Sequence, residues 1–227
     1  MSGISTLDWV ALGWFLAAWA GYGWFSENSR WSRRGLMVVS HRYRLDWARE
    51  MLAREIRVSD AALVGNLMQS VSFYANTTIY IIAGLLAVFG ALDQAIRFAA
   101  DLPFARVTSR ELAEMKLLLL LAVFVVAYFK FTWSLRQFNM LSILMGASPT
   151  GPSSDVSERM VQRVALVNSL AGDEFNRGIR AYYFGLAAVT WFIQPWLFLA
   201  LTTIVVVVLY RRDFASSALG ALDDHAP

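Results

Sequence analysis

Apolar residues fall in four long blocks, set apart by polar, Arg-rich or Gly/Pro-rich stretches. The blocks lie at about 7–25, 70–92, 116–139 and 181–210. Runs of about 20 apolar residues, rising 1.5 Å each, cross a hydrocarbon core of about 30 Å, so each block predicts a membrane helix. The third is the most apolar, with no charge from Leu117 to Phe129, before Lys130, Thr132, Ser134, Arg136, Gln137 and Asn139 follow within a few residues. The fourth holds Pro195, which predicts a kink near its middle because proline frees a carbonyl. In the second, Gln69, Ser72, Asn76 and Tyr80 share one face by steps of three and four, which predicts that this face meets protein or water inside a bundle. In the first, Gly13, Ala17 and Gly21 place small residues where another helix can approach.

The connections are patterned too. Residues 27–69 contain Arg30, Arg33, Arg34, Arg42, Arg44, Arg49, Arg54 and Arg57. There Leu45, Ala48, Met51, Leu52 and Ile56 recur at helical spacing opposite Asp46, Glu50, Arg54 and Arg57, predicting an amphipathic helix lying along the membrane surface. Thr108 with Glu111 reads as a capping box for the third helix. Met145 to Ser154 is rich in breakers; Asp155 and Glu158 open a further helix that Gly172 is expected to end. The fold expected is all-α: a four-helix integral membrane bundle, one domain over 1–227, with amphipathic interfacial helices on the cytoplasmic side.

Charge gives the orientation. Loops 27–69 and 140–177 hold eleven basic residues, while the amino-terminal, 93–114 and carboxyl-terminal segments hold five. The positive-inside rule then makes the two basic loops cytoplasmic and both termini periplasmic in a bacterial inner membrane, with Arg211 and Arg212 arguing against that placement. The chain has no cysteine, and His41 and His225 lack metal-ligand spacing, so no thiolate or zinc site is expected. With no nucleic-acid-reading motif, the basic residues point to anionic lipid headgroups as partners. No cofactor is implied.

The candidate site is polar residues near the inner edge of the spans: Lys130, Arg136 and Asn139 on the third, and Asn176, Arg180 and Tyr183 leading into the fourth. Lys130 lies near the bilayer midplane if the span ends at Met140, or snorkels to the headgroups if it ends at Arg136. Three readings stand open. The donors could bind or pass an anion, since Arg grips phosphate bidentately. They could form a structural network in which Asp173 or Glu174 neutralises Arg180 or Arg136. A catalytic centre is disfavoured, because no nucleophile–base pair or metal set can be assembled; the chain reads as a non-enzyme. Alongside anion binding or conduction, the latter through a homo-oligomer, stands a membrane scaffold that binds anionic lipids and partner membrane proteins.

The motifs YFKFTWSLRQFN, FNRGIRAYYFG and LYRRDF resemble an uncharacterised family of bacterial and plant membrane proteins, domain of unknown function 599. The resemblance extends from the first block to Phe214 and implies a multi-span membrane protein. It carries Lys130, Trp133, Arg136, Asn139, Asn176, Gly178, Arg180 and Tyr183, without an activity, substrate or cofactor.

Overall fold

The computed structural model describes residues 5–28, 35–100, 109–149 and 158–222, and they are helical throughout, with no strand among them. The chain forms α1 (Thr6–Asn28), α2 (Leu36–Ala53), α3 (Val58–Gly90), α4 (Leu92–Ala100), α5 (Arg110–Ala147), α6 (Glu158–Val189), α7 (Pro195–Phe214) and α8 (Ser217–Leu222), with a 3₁₀ turn at Thr190–Phe192. Thr108 and Asp155 lie outside the described residues.

Helix starts follow the capping chemistry of the sequence. Ser5 caps α1: its hydroxyl accepts the Asp8 amide, and the Asp8 carboxylate accepts the Ser5 amide at 3.1 Å. The cap of α5 is Ser109, which accepts the Leu112 amide, rather than Thr108, which the spacing to Glu111 singled out.

The three longest helices, α3, α5 and α6, run antiparallel in order. Tyr74 packs on Phe131 and Phe175, Thr78 meets Tyr182, and Ser134 donates to the Ala171 carbonyl. Close approach of α5 to α6 depends on glycine: a Cβ at Gly178 would run into the Phe131 ring, and one at Gly185 would touch Phe124.

The fourth apolar block is corrected by the structure. It is not one kinked span over 181–210. The chain ends α6 at Val189, turns through Thr190–Gln194, and starts α7 at Pro195, where proline is the first helical residue and its missing amide costs nothing. Helix α7 then runs back beside α6 and parallel to α1. Phe15 touches both Phe184 and Phe198, Trp14 donates to Thr203, and Tyr22 donates to Asp213. The start of α1 is pinned at the turn, where buried Asp8 accepts from Trp191 Nε1 at 3.0 Å and Lys116 stands over the Trp191 ring. The start of α1 and the end of α7 therefore sit at opposite ends of the α1–α7 pair, unlike the shared level expected of two termini on one side.

Three further expectations change. Gly172 does not stop a helix; it lies in the middle of α6. Helix α2 does not lie flat against a surface. It runs down the first half of α6, with Ala48, Met51 and Leu52 buried and contacts from His41–Ser169 to Arg49–Glu158. The polar face of α3 points outward: Gln69, Asn76 and Tyr80 are exposed, Tyr80 by 77%. Gly13, Ala17 and Gly21 are also exposed, and no other helix comes within 4 Å of a Cβ built on Gly13 or Gly21.

The molecule thus has two storeys. Helices α1 and α7 flank the half of α6 nearest the turn, and α2 flanks the other half. The bottom is tied by Asp60, fully buried, which accepts from Trp47 Nε1 and Arg54, and by Arg57, whose guanidinium donates to the carbonyls of Leu52, Met145, Ser148 and Pro149.

Candidate functional site

The boundary between the storeys is polar. Helix α6 presents two adjoining faces there, Glu174 with Arg177, and Asp173 with Asn176 and Arg180, each built by steps of three or four. The two faces do different things.

The first closes an ion-pair ladder. Lys130 Nζ lies 3.0 Å from Glu174 Oε2, Glu174 Oε1 pairs with Arg177, and Arg177 Nε lies 2.8 Å from Glu27 Oε1. Two cations meet two carboxylates, so the ladder neutralises itself and ties α1, α5 and α6 together. Lys130 stands level with the end of α1, and its charge has a partner.

The second face looks into a small cavity of about 70 Å³ enclosed by the end of α1, the start of α2, α6 and the end of α7. Arg180 is only 5% exposed. Its Nη1 donates to Ser26 Oγ, while its buried Nη2 has no hydrogen-bond partner and its nearest carboxylate, Glu27, is 3.9 Å away. Arg44 reaches in from α2 across Gly172, where any side chain would collide with the guanidinium. Arg212 comes from α7, paired with Asp213 at 3.2 Å and stacked over the Tyr183 ring at 5.5 Å. Asp213 also accepts from Tyr22 at 2.7 Å. Three guanidiniums face two carboxylates, Asp173 and Asp213, leaving an excess positive charge. Burial pushes the Asp173 carboxyl above its usual range, against the opposing pull of Arg44, Arg177 and Arg180. Burial likewise draws Arg44 below its ordinary value, with Asp173 opposing.

Of the six residues singled out in the sequence, Asn176 and Arg180 line this cavity, and Tyr183 stands outside it beneath Arg212. Lys130 belongs to the neighbouring ladder. Arg136 and Asn139 are exposed, and Arg136 rests on Trp133 with its guanidinium 5.7 Å from the ring centre. Glu174 neutralises Lys130 and Arg177 rather than Arg180 or Arg136. Sequence reasoning missed Arg44 and Arg212. Arg44 adjoins the apolar stripe of α2, which was a signal. Arg212 was hidden once the fourth block was read as a single span, because that put it at the opposite end of the bundle. Among the described residues no three His, Asp or Glu side chains are grouped for a metal.

These features define a class: an α-helical bundle with two helices, α3 and α5, long and apolar enough to cross a membrane, and a basic cavity between its storeys. The chain belongs to the family described as protein of unknown function, DUF599, which matches residues 10–218 and so takes in every helix from α2 to α7 and most of α1. No curated protein and no solved structure matches it.

Proposed function

We propose that this is a multi-pass membrane protein that binds an anionic group, the phosphate of a lipid headgroup or a free phosphate, in the cavity between Arg180, Arg44 and Arg212. The upper storey is the membrane part. Helix α7, with 20 residues, is about 30 Å long, the thickness of a hydrocarbon core. Exposed tryptophans gather towards the two ends of this storey, Trp9 and Trp196 near the turn and Trp24 and Trp133 near the storey boundary, with Trp14 exposed between them where it donates to Thr203. Five segments then cross: α1, α7, and the upper parts of α3, α5 and α6. The Arg-rich lower storey lies in the cytoplasm, and the cavity sits at the level of inner-leaflet headgroups.

The observation that carries the reading is the unpartnered, buried Nη2 of Arg180. A buried guanidinium proton without an acceptor costs about 1–3 kcal/mol or more, which an anion accepting it would recover. Binding is favoured over conduction because the centre of the upper storey is filled by Phe15, Phe131, Phe184, Trp191 and Phe198. One observation favours the scaffold reading as a second role: the exposed α3 face with Gln69, Phe73, Asn76 and Tyr80 offers amides and rings to another membrane helix.

Native mass spectrometry after mild detergent extraction tests the binding. The wild-type protein should retain an anionic phospholipid or phosphate, and Arg44→Gln should lose most of it while remaining folded. A wild-type protein that carries neither, and takes up neither when they are added, would overturn the reading.

A further inference from the structure

Arg44 and Asn176 line a second, larger space as well as the basic cavity. Helices α2 and α3 are tied at their joined ends by the Asp60 cluster, but above it they diverge and do not pack along their lengths. Between them opens a cleft of about 560 Å³, floored by Phe138 of α5 and by Gly172 and Phe175 of α6. That volume lies within the range of small-molecule sites, mostly apolar with a few placed polar groups. The walls fit that description. Trp47, Leu67 and Val71 supply apolar surface, and Asn66, Asn168 and Asn176 supply carboxamides.

The carboxamides are informative. None of the three makes a side-chain hydrogen bond with another described residue. Asn168 is only 7% exposed as a residue, and its carboxamide opens into the cleft rather than being sealed in the core. The neighbouring cavity is large enough for a phosphate-sized group only, and its cation Arg44 is shared with the cleft.

Resting on the anion-binding reading above, we infer that cavity and cleft are one site for a phosphate-bearing amphiphile. Its phosphate sits between Arg44 and Arg180. Its hydroxyl or ester oxygens meet Asn168 and Asn176. Its apolar chain lies between Trp47, Leu67, Phe138 and Phe175. Uncharged amides suit the neutral oxygens of such a molecule, and the apolar walls give it affinity that inorganic phosphate cannot gain.

The test compares two probes on the full-length protein in a non-ionic detergent: inorganic phosphate, and a lysophosphatidic acid. The lysolipid should bind at least about tenfold tighter than phosphate. Ser70→Trp, at an exposed position on the cleft wall, should weaken lysolipid binding by about tenfold and leave phosphate binding within about twofold. Arg44→Gln should weaken both. Asn168→Leu provides a second variant: it should leave the unfolding temperature within a few degrees, since its amide opens into the cleft, while weakening only the lysolipid. If phosphate binds and the lysolipid binds no tighter, or if Ser70→Trp and Asn168→Leu leave it unchanged, the inference fails and the anion site stands. If neither probe binds, both fail.

Discussion

Gly172 and Gly178 are six residues apart on α6, yet the absence of a side chain serves a different purpose at each. At Gly178 the space is taken by Phe131, a fully buried ring with little freedom to move. Gly178→Ala should therefore cost about 1–3 kcal/mol through overpacking, measured as a lower unfolding temperature in detergent. At Gly172 the space is taken by the flexible end of Arg44. Gly172→Ala should leave stability nearly unchanged, displace that guanidinium, and weaken phosphate binding. Asp173 sets the pH dependence. Its folded pKa is raised, so the carboxyl becomes neutral at a higher pH than a free aspartate, and any stability from this shift is present at low pH and lost as pH rises through that pKa. Arg44 faces it from α2, Glu174, Arg177 and Arg180 from α6, and Arg212 and Asp213 line the same cavity from α7. Removing the Asp173 charge leaves the guanidiniums less neutralised. Binding of sulfate, whose charge is constant over this range, should strengthen as pH falls from neutral through the raised pKa. Asp173→Asn should bind tightly throughout and lose that dependence.

Among the elements, what could be read from the sequence was each helix's local signal. The apolar stripe of α2 was legible from Leu45 to Leu52, the face that α2 buries against α6, whereas Ile56, expected to extend it, lies beyond the helix and is exposed. Periodicity reports that a face is covered and not by what. The same limit explains α3, where polar residues at steps of three and four mark one face without saying whether it looks in or out. The reversal at Thr190–Gln194 was missed because the residues on both sides of Pro195 are apolar, and proline serves equally as a kink or as the first residue of a new helix. Arg211 and Arg212 were the clue, since as positive charges they belong with the other basic loops. Arg57 had no visible role in the sequence; its four carbonyl acceptors exist only once α2, α3 and α5 have met. Arg57→Ala should lower the stability of the lower storey by about 1.5–3 kcal/mol, read as faster amide exchange at the ends of α2 and α5.

At the scale of the whole molecule, the fold-back of α7 makes the site. It returns Arg212 and Asp213 to the level of Arg180 and Ser26, closes the cavity beside α2, and places every Arg cluster of α2, α6 and α7 in the half of the molecule away from the Thr190–Gln194 turn. Side-specific labelling of single cysteines in intact membranes tests this directly, because the native chain contains no cysteine. Ala215→Cys, just beyond α7, and Ser59→Cys, at the base of α3, should react from the same side, with Gln94→Cys on α4 reacting from the other. If Ala215→Cys instead labels together with Gln94→Cys, α7 crosses away from Arg180, and the cavity does not exist as described.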